Sequence, residues 1–251
     1  MTVSERTKRI WAWRKSEDYA KQYLLFQARG DHLIFTYEKN KAAIQQMSQD
    51  LEAISVRTEI AGTSDLHRGF YCPSLVYDIV IGNVKRGKPL KRMTTRSKQY
   101  YIYGFDQNDQ MVWCKVYYSG IHTYTEYFIY EGNSRYGFML DKQNCLHVAT
   151  QEQFENGKIV SFLYGLCCGF GGELVWNELR QEDYHYDGNG LQFCDWFCMR
   201  PMLLRLEHER YMFERENGYL KRYYVEELIG FEETEVVSKS PIYNVLVERK
   251  A

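Results

Sequence analysis

Carboxylates and aromatic rings that could act on a carbohydrate are concentrated between residues 173 and 196. The acids are Glu173, Glu178, Glu182, Asp183 and Asp187, and the rings are Trp176, Tyr184, Tyr186 and Trp196. A glycosidase uses one carboxyl group to protonate the leaving group and a second to attack the sugar or activate water. Such acids also occur at solvated strand edges and turns, where they oppose aggregation. The cluster therefore indicates a carbohydrate-active or carbohydrate-binding protein as one alternative.

Thiols and one imidazole in the same part of the chain have the chemistry of zinc ligands. They are Cys167, Cys168, His185, Cys194 and Cys198. Cys194 and Cys198 would share one face of a strand, because side chains alternate along it. A Cys-x-x-x-Cys spacing within an apolar strand is not typical of structural zinc sites, and buried cysteines commonly act as small core residues. We therefore expect no bound metal, with a zinc site at these residues as the alternative.

Other motifs of cofactor binding and catalysis are incomplete. The glycine-rich stretch 165–173 lacks both common phosphate-binding patterns, so we expect a wide turn or bulge there and no cofactor. Cys72 lies near His67 in the sequence, but no nucleophile elbow accompanies the pair. The missing motifs favour a protein without catalytic activity, with an enzyme as the alternative.

A basic run precedes three tyrosines near the middle of the chain. Its members are Lys85, Arg86, Lys88, Lys91, Arg92, Arg96 and Lys98, followed by Tyr100, Tyr101 and Tyr103. Cations beside stacking rings could hold single-stranded RNA or meet an acidic patch on a protein. A solvated hairpin loop is the commonest role of such a run. Since 32 basic and 33 acidic residues leave a net charge of −1, binding of nucleic acid is disfavoured.

Length and composition indicate a globular protein. The 251 residues are 45% hydrophobic and fit one large domain or two small ones. Residues 1–10 contain no apolar segment of the kind found in secretory signals, and no apolar run is long enough for a membrane helix. With no such signal, the 7 cysteines indicate reduced thiols. We therefore expect a cytoplasmic protein that does not associate with a membrane.

The local patterns divide the chain into a helical region, 1–62, and a β-meander domain, 63–251. In the first region, Ser16 could cap a helix that ends at Arg29, where Gly30 would stop it, and a second helix is predicted over 37–54. The predicted strands are 75–81, 99–105, 111–118, 124–130, 136–140, 158–166, 173–179, 191–199, 202–212, 219–226 and 242–247.

A recurring turn pattern is the strongest structural signal: an aromatic residue, an acid, and then Asn or Gly. The five copies are 105–109, 130–134, 154–157, 186–190 and 213–218. Asn and Gly tolerate the positive φ that tight hairpin turns require. We therefore predict a mainly β (α+β) fold, with N-terminal helices packed on a long twisted antiparallel β-meander that could curl to a half-barrel.

Two copies of this pattern, 154–159 and 186–191, resemble units of bacterial YD-repeat and MORN-like β-hairpin repeat proteins. The resemblance extends over about 98–227 and depends on short motifs that hairpin geometry also selects. Tyrosine-rich bacterial proteins of this kind are suspected immunity proteins against polymorphic toxins. The resemblance therefore implies a protein partner and assigns no catalytic residue.

Aromatic residues on neighbouring predicted strands could form the binding surface. They are Trp113, Tyr117, Tyr118, Tyr124 and Tyr127, with Trp176 and Trp196 further along the chain. Tyr and Trp are enriched among the residues that dominate binding energy at protein interfaces. The same rings could instead cover the buried side of the sheet. We predict a protein-binding module of the antitoxin or immunity type that occludes a partner, with the carbohydrate function as the alternative.

Overall fold

The computed structural model describes most of the chain: residues 12, 14–62, 64, 66–76, 86–91, 99–170, 173–188, 190–203, 205–216 and 219–227. Within this range, one long helix precedes an antiparallel β-meander. The predicted mainly β fold with an N-terminal helical segment is confirmed.

The helix α1 runs from Glu17 to Gln49 without a break. Ser16 caps it, because its Oγ accepts a hydrogen bond from the Tyr19 N–H at 3.2 Å. The prediction of two helices separated at Gly30 is therefore wrong. A Cβ atom at Gly30 would lie 2.6 Å from Trp176 Nε1. Glycine at this position allows the helix to approach a strand closely, and it does not end the helix.

In the part of the chain that the structure describes, twelve strands follow the helix. Their bounds are β1 Arg57–Gly62, β2 Lys88–Leu90, β3 Gln99–Phe105, β4 Met111–Tyr118, β5 Ile121–Glu131, β6 Ser134–Asp141, β7 Leu146–Glu155, β8 Lys158–Phe170, β9 Glu173–Asp187, β10 Gly190–Arg200, β11 Arg205–Glu216 and β12 Tyr219–Glu227. The predicted bounds of β3 and β4 are confirmed. The strands β1, β2 and β7 were not predicted.

Three other expectations differ from the structure or lie outside it. The predicted strand 75–81 is wrong at its start, since Leu75 and Val76 form a buried bend. The rest of that segment and the predicted strand 242–247 lie outside the described residues. The glycine-rich stretch is not a wide turn throughout, because β8 continues to Phe170 and β9 begins at Glu173.

The five predicted turn segments all fall between consecutive strands. After β3, Asp109 has a φ of 62°, and after β7, Asn156 and Gly157 have φ values of 50° and 75°. The Asp106 carboxylate stabilises the first turn, since one of its oxygens accepts the Asn108 N–H at 2.9 Å. Local turn chemistry therefore determines where the strands reverse.

The strands pair in the order β12-β11-β10-β9-β8-β7-β6-β5-β4-β3-β1-β2. From β3 to β12, each strand pairs with the next in sequence, as in a meander. At the other end, β1 pairs with both β2 and β3. This short crossover places residues 57–62 in the sheet, although the sequence predicted helix and loop there.

The chain divides into two compact units, and α1 contributes to both. The first unit comprises Met1–His32, Gln153–Leu166 and Val175–Ala251, and the second comprises Leu33–Glu152 and Cys167–Leu174. In the first unit, Phe26 of α1 packs on Phe197 of β10, with ring centroids 5.1 Å apart.

In the second unit, different elements cover the two faces of strands β3 to β6. On one face, which we call the helix face, the Tyr37 ring of α1 lies 5.5 Å from the Phe138 ring. Trp113 of this face lies in register with Tyr127. On the opposite face, which we call the loop face, residues 64 and 66–76 cover the sheet, and the Tyr103 hydroxyl donates to Arg68 O at 2.8 Å. The core of this unit therefore has two layers, one on each side of the sheet.

Candidate functional site

The seven aromatic residues predicted to bind a partner do not share one surface. In the second unit, the strand registers place Trp113, Tyr117 and Tyr127 on the helix face and Tyr118 and Tyr124 on the loop face. Trp113 and Tyr127 are buried. Trp113 Nε1 also donates a hydrogen bond to Leu51 O at 3.2 Å, so these two rings form part of the core.

The two tryptophans of the first unit are also buried. Trp176 is 6% exposed and Trp196 is 7% exposed. Of the seven predicted residues, three therefore have appreciable exposure: Tyr117, Tyr118 and Tyr124. All three lie close to the turn between β4 and β5.

That turn carries two exposed apolar side chains. Tyr118 and Ile121 face each other across the last register pair of β4 and β5, and they are 46% and 62% exposed. The two residues between them, Ser119 and Gly120, have φ values of 49° and 79°. Positive φ at both central positions is typical of the type I′ turn, which follows the twist of the strands. The backbone therefore holds Tyr118 and Ile121 together at a defined hairpin end.

Half-buried rings support this end on both faces. We call Tyr117, Tyr118, Ile121, His122 and Tyr124 the hairpin-tip patch. On the helix face, Tyr117 lies against His122, with ring centroids 5.3 Å apart, and stacks at 4.5 Å on Tyr100. On the loop face, Tyr124 meets the edge of the His147 ring at 5.0 Å.

The electrostatic surroundings of the patch are cationic. Burial lowers the pKa of His122, and the positive charges of Lys115 and Lys142 lower it further. The one carboxylate at the adjoining turn, Asp141, accepts the N–H groups of Gln143 and Cys145 at 2.8 and 2.9 Å. His147 Nε2 lies 3.1 Å from the same carboxylate. The patch therefore combines a fixed apolar end with nearby cations.

The predicted carbohydrate cluster is distributed over both sides of strand β9. Glu182 and Asp183 are adjacent and so point to opposite faces. The buried Glu182 accepts a hydrogen bond from the Tyr184 hydroxyl, whereas Asp183 accepts one from Ser161 Oγ at 2.8 Å. Glu178 forms ion pairs with Arg180 and Arg200, Asp187 is exposed, and the side chain of Glu173 lies outside the described residues. Carbohydrate binding stays a prediction, and of these acids Asp183 and Asp187 share one face of β9.

The predicted cysteine and histidine set is divided in the same way. Cys194 and Cys198 lie on one face of β10, and burial raises the pKa of Cys198 to about 12. His185 is in register with Phe193 and therefore lies on the other face. Cys167 and Cys168 belong to the second unit. Among the described residues, no group of three His, Cys, Asp or Glu side chains is arranged to hold a metal ion.

A carboxylate with two histidines in the first unit was not predicted. Asp195 accepts hydrogen bonds from Arg210 Nε at 2.8 Å and Nη2 at 3.1 Å. His185 Nε2 lies 3.3 Å from Asp195 Oδ2, and His208 Nε2 lies 3.3 Å from Asp195 Oδ1. Burial raises the pKa of Asp195, but the hydrogen bonds from His208 and Arg210 lower it more, to about 2. The sequence could not indicate this group, because strand pairing brings its members together.

A buried ion cluster in the second unit was not predicted either. It consists of Arg68, Glu126, Arg135 and Glu152. Arg68 lies in the left-handed region, with a φ of 59°, and donates to Glu126 from Nε at 2.9 Å and from Nη2 at 2.7 Å. Its Nη1 pairs with Glu152, which also pairs with Arg135. Three of these side chains are no more than 1% exposed, so we assign the cluster to fastening residues 66–76 onto the sheet.

The basic run is not exposed along its whole length. Arg86 is buried and donates from Nη1 to Cys72 O at 2.7 Å, and it also bonds Ser74 O. Lys88 begins the short strand β2. The three tyrosines that follow the run are buried: Tyr100, Tyr101 and Tyr103. Lys85, Arg92, Arg96 and Lys98 lie outside the described residues.

The sequence matches no protein-family model and no curated protein. Several solved structures match the chain, and two of them resemble it only weakly. One is a protein of unknown function from Bacteroides fragilis, with 12% identity, a TM-score of 0.34, and coverage of 57% of this chain and 94% of that one. The other is a porin-like protein from Bacteroides uniformis, with 8% identity, a TM-score of 0.34, and coverage of 57% of this chain. The match spans 54% of the porin-like protein, and neither likeness carries an argument about function. Within the described residues, no helix combines the length and hydropathy that crossing a bilayer requires.

Proposed function

We propose that this chain is a protein-binding module of the immunity type, which acts in the cytoplasm and occludes a partner protein through the hairpin-tip patch. The observation that supports this function is the exposure of Tyr118 and Ile121 on a tight hairpin turn. Interfaces obtain most of their binding energy from a few rigid aromatic and apolar anchors. A turn that is already ordered before binding loses little conformational entropy in the complex.

The buried parts of the chain fit the same role. The rings of Trp113 and Tyr127 lie in the core, and the ion cluster fastens the loop segment to the opposite face of the sheet. These interactions make the sheet a firm support for the turn at its end. Occlusion of a partner requires such a support, and it requires no reacting group.

The test compares two variants in purification of a tagged protein from its native cells. In the first, Tyr118→Ala is combined with Ile121→Ser. In the second, Tyr130→Ala removes another ring of β5, 36% exposed, at the opposite end of the strand. We expect a one-to-one complex, measured by light scattering, that the double variant loses and Tyr130→Ala retains. A complex that survives the double variant unchanged, or the absence of any complex, would contradict the proposal.

A further inference from the structure

We infer that the surface bound by the hairpin-tip patch is an acidic protein surface: an apolar socket for Tyr118 and Ile121, bordered by carboxylates that pair with Lys115 and Lys142. This inference rests on the proposed function and adds the chemistry of the partner.

Tyr118 and Ile121 form the apolar centre of the contact. Tyr118 and Ile121 are adjacent across the strand pair and are exposed over about half of their surfaces or more. Two neighbouring side chains of this size fill a concavity, and complete burial in it would exclude water from both. The partner should therefore present an apolar recess.

Two lysines, Lys115 and Lys142, supply positive charge near this centre. Lys115 lies in register with Thr125 on the helix face, two residues before Tyr117. Lys142 follows Asp141, which is in register with Tyr124, and Lys142 is exposed. Lys115 therefore lies on β4 and Lys142 lies directly after β6, on either side of β5 and close to the turn.

The charges of the two lysines are only partly compensated within the chain. Among the described residues, neither Lys115 nor Lys142 forms an ion pair. The Lys115 ammonium group lies 5.2 Å from the centroid of the Trp113 ring, which leaves its charge unneutralised. The adjoining Asp141 carboxylate, which accepts turn N–H groups and lies near His147, offsets one of these two positive charges and leaves the other uncompensated. Both cations also act on His122 and lower its pKa. Opposite charge on a partner is the complement of this uncompensated field, and it would increase the rate of association.

The experiment uses the photoreactive amino acid benzoylphenylalanine in place of Ile121 in the full chain, expressed in the native cells. After irradiation, mass spectrometry identifies the partner peptide that is joined to this position. The same probe is placed in a Lys142→Glu variant and in a matched Lys158→Glu variant. Lys158 begins β8, outside the patch, so this control has the same change in net charge.

We expect the joined peptide to be acidic and to contain apolar residues. We also expect the yield of crosslinked product to fall about tenfold in Lys142→Glu and to stay unchanged in Lys158→Glu, because only the first places like charges face to face. Capture of a protein is not sufficient support, since the charge of the peptide and the response to Lys142→Glu decide the inference.

Three results would overturn it, and they can be told apart. A protein that is captured through a neutral or basic peptide, or equally well by Lys142→Glu, would refute the acidic surface and leave the proposed function standing. A product that a nuclease removes would identify a nucleic acid and refute both proposals. No product at position 121 would refute the proposed function itself.

Discussion

The buried ion cluster gives the sharpest test of how this fold is stabilised. We expect Arg68→Met to destabilise the second unit strongly. The substitution removes both hydrogen bonds to Glu126, at 2.9 and 2.7 Å, and one to Thr150 Oγ1 at 2.6 Å. Glu126, which is 0% exposed, then keeps the His67 ring as a partner, with Nε2 at 3.2 Å. Glu152 retains its pair with Arg135.

The magnitude follows from the charge that is left behind. Removing one partner of a buried ion pair costs about 3–5 kcal/mol, because the remaining charge is neither solvated nor paired. A change of 1 kcal/mol shifts the melting temperature of a chain of this length by about 2–4 °C. The expected loss is therefore about 6–20 °C, a large part of the total stability of a typical domain.

The matched control is Arg57→Met. Arg57 also pairs with two acids, Glu59 and Asp109, but its side chain is 40% exposed. Exposed ion pairs contribute at most about 1 kcal/mol. Urea denaturation gives the free energy of unfolding, and amide hydrogen exchange over residues 99–152 localises the change to the second unit.

A second variant separates charge from packing. Adding Glu126→Gln to Arg68→Met removes the unpaired negative charge, so we expect the double variant to recover at least about 1 kcal/mol relative to Arg68→Met alone. Equal losses in Arg68→Met and Arg57→Met, or additive losses in the double variant, would refute the reasoning.

Acidification should affect the cluster in a defined direction. Burial alone would raise the pKa of Glu126, but Arg68 and His67 lower it well below its ordinary value of 4.5. A carboxyl group with a lowered pKa stabilises the folded state fully above its unfolded pKa, and this stability is lost as pH falls. The wild type should therefore lose stability progressively below about pH 4.5, and Arg68→Met should lose less over the same range.

Three further predictions concern single positions. Gly137→Ala should cost about 1–3 kcal/mol in urea denaturation, because a Cβ atom there would collide with the buried ion cluster; a neutral effect would show that the cluster can move aside. The pKa of Asp195 is lowered from 3.8 to about 2, so the difference in stability between the wild type and Asp195→Asn should shrink as pH falls through this range, measured by hydrogen exchange in β9 to β11. Iodoacetamide should modify the exposed Cys145 and Cys168 readily and leave Cys198 unmodified, since Cys198 is buried and its pKa is about 12; equal labelling by mass spectrometry would contradict the assigned burial.

The strand reversals could be predicted from sequence because they depend on local chemistry. In the first pattern, Asp109 has a positive φ and Asp106 accepts N–H groups of the turn, and positive φ recurs at Gly132, Asn156 and Gly157 in the next two patterns. The bounds of β3 and β4 followed directly from the residues on either side of such a turn. The continuous helix did not follow, since Gly30 signals a helix end unless a ring such as Trp176 occupies the space beside it.

The candidate site could be predicted only in part. The sequence identified Tyr117, Tyr118 and Tyr124, and strand alternation alone separates Tyr117 from Tyr118. It could not show that α1 covers Trp113 and Tyr127, because that depends on packing between distant segments. Ile121 was missed, because the predicted strand began at residue 124, whereas β5 begins at Ile121.

The β-meander could therefore be predicted from the sequence, because each turn depends on residues that lie close together in the chain. Which rings are buried and which charges meet depends instead on packing between distant segments. Arg68 and Glu126 are 58 residues apart, and Asp195 meets His208 only through the register of β10 and β11. Such contacts depend on long-range pairing and on solvent exclusion, which no local pattern in the chain records.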